Sequence, residues 1–157
     1  MRIDKSFPRS ARTSHLVPAL VLALAVAGTA LASSSSSFSG KTKQKLKVTF
    51  KATPSQVSKF QVTVSAWCVS LSASVPSGLD LRSLAVVKST PIKSGRFTIN
   101  YTGPLSTHAT IKGKISGHSA SGSVDVRYAK SMGIDPATGS FVSGSCAAKT
   151  TWTAKSG

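Results

Sequence analysis

The sequence predicts an all-β chain, a single antiparallel β-sandwich or small β-barrel of roughly six to eight strands held by one disulfide. Three observations predict it. Apolar and polar residues alternate with a period of two, Thr, Val, Ser and Ile dominate, and Gly or Pro interrupts the pattern at short intervals. No stretch of a dozen residues sets apolar side chains at helical spacing among helix formers. Cys68 and Cys146 each fall on the apolar face of their own alternating stretch, so the parity that predicts the strands also points both sulfurs into the core.

The chain begins with an address. Arg2, Lys5, Arg9 and Arg12 precede the apolar run Leu16–Ala27, and Ala30-Leu31-Ala32 supplies small residues where signal peptidase reads. The run "LVPALVLALAVA" is shorter than the ~20 apolar residues of a spanning helix and carries Pro18. Cleavage after Ala32 is the expectation, with retention as an anchor the alternative. No cysteine follows for lipid attachment, and no Arg-Arg pair marks a twin-arginine route. The expected plan is a signal peptide over 1–32, a flexible Ser-rich leader over 33–40 and a β-domain over 41–157. The product is then secreted and extracellular, without a membrane span after cleavage.

The strands follow in order. In "KTKQKLKVTFK", Lys41, Lys43, Lys45 and Lys47 occupy odd positions while Leu46, Val48 and Phe50 occupy even ones, which lines the lysines along one face of a first strand. That face reads either as a solvated guard against edge pairing or as an arm for a polyanion. Next, Phe60, Val62, Val64, Ala66 and Cys68 share a face, leaving Trp67, Val69 and Leu71 opposite. Either this strand is covered on both sides, or Trp67 belongs to an exposed binding patch on which a glycan stacks. The long connection "VPSGLDLRSLAVVKSTPIKSG" hides one short strand near Leu84 to Val87. Four further inward faces are Phe97, Ile99 and Tyr101; Ala109, Ile111 and Ile115, opposite Lys112 and Lys114; Val124, Val126 and Tyr128; and Cys146, Ala148, Trp152 and Ala154. "SGHSASG" reads as a tight hairpin connection, and Asp135 to Gly139 as a Pro-containing turn. Trp152 is expected to plug the core beside a disulfide that crosses it.

The order of these pieces resembles small secreted β-rich domains of actinobacteria. The resemblance rests on Gly40-Lys41-Thr42, Cys68, Gly95-Arg96-Phe97, the "GKxSGxxASG" hairpin from Gly113 to Gly122, and Cys146 to Lys155 with its "TWTAK" ending. It covers most of the chain after the signal segment. It implies the β-rich fold and no established activity, so no functional residue carries over. "SCAAKT" departs from the pattern, which has Ser or Gly soon after the cysteine.

Charge narrows the function classes. From Ser33 onward there are thirteen lysines and three arginines against Asp80, Asp125 and Asp135, a formal charge of +13, with no glutamate anywhere. Such a field attracts polyanions. The candidate contacts are Lys41, Lys43, Lys45, Lys47, Lys112 and Lys114. The expected partners are acidic cell-wall or surface polymers held weakly by electrostatics. Specific nucleic-acid recognition is not expected, because the cations are mostly lysine and no surface aromatics interleave with them. Catalysis lacks a constellation. "GHSASG" misses the nucleophile-elbow spacing, since Ser121 stands where the second glycine belongs, and Ser119 enters a strand instead of a helix. His108, His118 and three scattered aspartates make neither a triad nor a metal site, and "GIDPATG" has too few oxygens for a calcium loop. No cofactor is expected. The leading reading is a non-enzymatic exported domain that associates with acidic envelope polymers. The alternatives are a carbohydrate-binding module using Trp67, then a small secreted hydrolase or protease inhibitor.

Overall fold

The computed structural model describes residues Ser34–Gly157, and the expected signal segment 1–32 lies outside the described residues. The chain runs through β1 (Ser36–Thr42), β2 (Lys47–Ala52), β3 (Gln56–Ser70), β4 (Gly78–Val86), β5 (Thr90–Pro91), β6 (Arg96–Gly103), β7 (Thr107–Ser116), β8 (Ser119–Ile134) and β9 (Phe141–Ser156), with no helix among the described residues. The strands pair in the order β4-β3-β2-β1-β9-β8-β7-β6, with β5 beside β3. Strands β3 and β9 also pair directly, from Trp67 opposite Ala147 to Ser70 opposite Gly144. That contact closes β1, β2, β3 and β9 into a four-stranded barrel, from which β4 extends on one side and β8-β7-β6 on the other.

Strands β3 and β9 explain the closure. They touch at one end and diverge at the other, and the β1–β2 hairpin fills the fork. The start of β3 pairs with β2, and the end of β9 pairs with β1. Between Val62 and Trp67, β3 pairs with no strand on the barrel side among the described residues. A buried or half-buried backbone amide must find a partner, and Gln44 supplies it. Its Nε2 donates to the Ser65 carbonyl at 2.7 Å, and its Oε1 accepts from the Ser65 amide at 2.9 Å. One side chain stands in for a strand residue.

Two expectations near this hairpin need correction. Residues Ser36–Gly40, expected as a flexible leader, form most of β1. The lysine run is not one strand face, because it folds into the hairpin itself: Lys41 lies in β1, Lys43 and Lys45 in the turn, and Lys47 in β2 directly opposite Lys41. The turn forms because Thr42 gathers it. The Thr42 amide donates to the Leu46 carbonyl at 2.8 Å, and its Oγ1 accepts from the Leu46 amide at 3.2 Å. Lys45 takes a left-handed φ of 64°, a conformation usually given to Gly, Asn or Asp. With lysine there, the alternation looks unbroken in the sequence.

The inward faces are otherwise as the alternation predicts. Phe60, Val62, Val64, Ala66, Cys68, Phe97, Ile99, Ile111, Val124, Val126, Cys146 and Trp152 are buried. Tyr101 and Ile115 are partly buried against the same core. Phe50 stacks on Phe38 at 4.7 Å and on Phe60 at 5.4 Å, while Trp152 meets Phe60 edge-on at 5.6 Å. Gly113 and Gly122 face each other across β7 and β8, flanked in the same row by Phe97 and Trp152. A Cβ at Gly122 would lie 2.6 Å from Trp152 Cζ2, so the bare glycines form the floor on which these rings rest.

The Cys68–Cys146 disulfide is present, and it joins neighbouring strands at paired positions instead of crossing the core. Trp152 fills the core as expected, but it lies six residues along β9 from Cys146, about 20 Å at strand rise. It is not beside the disulfide. The short strand expected near Leu84 to Val87 is the longer β4, paired with β3 from Gly78 to Val86.

Candidate polyanion-binding face

Because β2, β1, β9, β8, β7 and β6 are neighbours, the outward residues at one level form a row across the sheet. Lys47 is paired with Lys41, Lys41 with Thr153, Thr153 with Ser121, Ser121 with Lys114, and Lys114 with Arg96. The next row away from the turn runs Ser39, Lys155, Ser119 and Ser116. On the turn side lie Thr151, Ser123 and Lys112, with the Lys43 amide bonded to the Thr151 carbonyl at 2.8 Å.

These rows compose a lane. Its floor is a double file of hydroxyls on β8 and β9: Ser119, Ser121, Ser123, Thr151 and Thr153. One bank carries Lys41, Lys43 and Lys47, the other Lys112 and Lys114. Adjacent strands lie about 4.8 Å apart, so the banks stand roughly 14 Å from each other. An open groove of about 790 Å³ follows this lane, walled by Lys41, Lys114 and Lys155 and floored by Ser119, Ser121 and Thr153. None of the acids lines it.

Five of the six candidate lysines thus flank the lane, and Lys45 sits at the hairpin tip. Sequence reasoning left out Lys155 and Arg96. The signal that finds them is parity, since Lys149, Thr151, Thr153 and Lys155 alternate outward along β9.

The sheet's other charged cluster faces inward. Tyr128 donates to Asp80 Oδ2 at 2.5 Å, Lys130 pairs with Asp80 Oδ1, and Arg82 lies over the Tyr128 ring at 5.0 Å while bonding Thr107 Oγ1 at 3.2 Å. This network pins the edge strand β4 to β7 and β8. The Lys130 ammonium, then the Tyr128 hydroxyl, hold the Asp80 carboxyl below its usual range. Burial, then Asp80, pushes the Tyr128 hydroxyl up. A carboxyl whose folded pKa is lowered adds stability above its ordinary value near ~3.9 and loses it as pH falls through the lowered one. Asp80→Asn is therefore expected to be less stable than the parent at pH 7, with the difference shrinking toward pH 2.5. Urea midpoints at both pH values test this, and an equal difference at both excludes the ion pair as its source.

Trp67, for which the sequence left two readings, is 53% exposed. Leu79 is paired with it on β4 and Ala147 on β9, and Val69 and Leu71 follow it on the same outer face. His118 lies in the β7–β8 turn with its Nδ1 2.9 Å from Ser156 Oγ, away from the aspartates. Among the described residues no three His, Cys, Asp or Glu side chains group as metal ligands, and no helix is long and apolar enough to cross a membrane. Compared with protein-family models, curated proteins and solved structures, the chain matches none.

Proposed function

We propose that the domain is an exported, non-enzymatic module that holds a linear acidic polymer of the cell envelope in the lysine-banked lane. The observation that carries this reading is the lane itself. Two files of cations face each other across a floor of hydroxyls, which suits a flexible chain of phosphates or carboxylates lying along β8 and β9. Lysines act there as point charges, and the Ser and Thr hydroxyls donate to anionic oxygens. Such a floor grips repeating charge without reading a sequence. The disulfide is compatible with an extracellular location.

The test is retention on immobilised polyphosphate as a function of salt. Replacing Lys41, Lys114 and Lys155 together by Ala is expected to weaken binding more than tenfold. By analogy with phosphate contacts, it should flatten the log–log salt slope by about one per lysine removed. Binding that persists at 1 M salt, where the screening length is only about 3 Å, defeats the electrostatic account.

A further inference from the structure

We infer that the opposite end of the molecule is a second surface, which seats on the interface of an anionic lipid bilayer. Nine large hydrophobics are exposed among the described residues, and all but Val87 gather there. Trp67 and Leu79 form a pair on the outer face of β3 and β4. Beyond them Leu71 (78% exposed), Leu105 and Phe141 (81% exposed) stand at the ends of three connections. Along β9, Phe141 lies about 45 Å from Lys155 at strand rise, so this end is distinct from the lane.

Two of the three connections are tied to each other, and the β6–β7 connection is tied to β8. The Leu71 amide donates to the Ser143 carbonyl at 3.2 Å, and the Ala129 amide donates to the Leu105 carbonyl at 2.9 Å. Asp135 accepts from the Ala137 amide and from the Ser72 and Ser74 hydroxyls, all within 2.9 Å, which joins the β3–β4 connection to the β8–β9 turn. The apolar side chains are therefore held out in water by a fixed frame. Contiguous exposed apolar surface of this kind marks an interaction site.

Charge decides the occupant. Lys45, at the hairpin tip, follows Gln44, which is bonded to Ser65, two residues before Trp67 on the same face. Lys149 follows Ala147 outward on β9, and Arg127 is paired with Ala147. Of the three acids among the described residues, Asp80 is turned inward to Lys130 and Asp125 sits opposite Lys149, while Asp135, hydrogen-bonded by its serines, keeps its charge in the β8–β9 turn and is outnumbered by the cations around it. The apolar end thus has a cationic rim, the pattern of a surface that inserts side chains among anionic headgroups, and Trp favours that interface. A second copy carries the same +13 and is repelled. A glycan needs fixed polar groups beside the stacking ring, whereas Leu79, Val69 and Ala147 surround Trp67.

The experiment uses the chain from Ser33, since Ala32–Gly157 is a compact unit and the whole core lies within it. Vesicles of phosphatidylcholine with phosphatidylglycerol are compared with phosphatidylcholine alone, and Trp67 is the reporter because Trp152 is buried. Expected are binding at least tenfold stronger to the anionic vesicles, a blue shift of the emission, and quenching by brominated lipid. The exposed pair Leu71→Ser and Phe141→Ser is expected to cut vesicle binding more than tenfold while leaving polyphosphate retention unchanged. Vesicle binding that survives this double change, dimerisation seen by light scattering, or an emission shift on polysaccharide but not on vesicles each overturns the inference.

Discussion

Replacing Cys68 and Cys146 together by alanine is expected to lower stability by about 4–5 kcal/mol, the loop-closure value for a separation of 78 residues. The residues close the barrel across one of its short ladders. Strand β3 meets β9 over only four paired positions, while β8 pairs with β9 along nearly its whole length. Without the cross-link those four pairs must be held by packing alone. Hydrogen exchange is therefore expected to rise first in Trp67–Ser70 and last in the β8–β9 ladder. Alanine is the right replacement, because both sulfurs are buried and a serine hydroxyl there adds a desolvation cost of its own. A loss below about 1 kcal/mol in urea denaturation means instead that the β1–β2 hairpin closes the barrel unaided.

The fold was legible where side-chain parity stayed intact. From Phe60 to Cys68 and from Cys146 to Ala154 every second residue is buried, so the inner faces and the cysteine pairing follow from a period of two. Legibility failed where the backbone changed conformation without a marker residue. Lys45 turns the hairpin and Lys59, at a φ of 52°, makes a bulge in β3 opposite the break in register between Thr49 and Lys51. Neither is Gly, Asn or Asp, so nothing in the residue types announces them. The bulge shifts the alternation, which is how Val57 and Phe60, of opposite parity, are both buried. The Ser-rich start of β1 was unreadable for another reason. Ser36, Ser37 and Ser39 face solvent, and only Phe38 commits the strand to the core.

The candidate surfaces divide the same way. Outward lysines were readable strand by strand, but the lane depends on which strands are neighbours. Placing β1 beside β9, which brings Lys41 level with Lys114 and one row from Lys155, is a long-range pairing that no local pattern encodes. Trp67 had two readings because Val69 and Leu71 look alike on a covered strand and on an exposed one. The difference is that, among the described residues, Trp67, Val69, Leu71, Leu79 and Leu81 are all left exposed on that side of β3 and β4.

Trp152→Ala is expected to cost about 3–5 kcal/mol, the range for removing a large ring from a packed core. Trp152 is 1% exposed and lies among Phe50, Phe60 and Phe97, with centroids at 5.8, 5.6 and 6.2 Å. It therefore joins strands from the barrel to β6, which has no ladder to β2 or β3. Its floor cannot rise to fill the space, because Gly113 and Gly122 carry no side chains. The resulting cavity should stay largely open. Trp152→Phe is expected to cost less than half as much. It retains the ring contacts and removes Nε1, a buried donor with no protein acceptor, whose unmet hydrogen bond costs about 1–3 kcal/mol. Urea denaturation of the two variants measures the contrast. Equal losses would mean that the indole edge, and not the unpaired nitrogen, sets the fit between the barrel and β6.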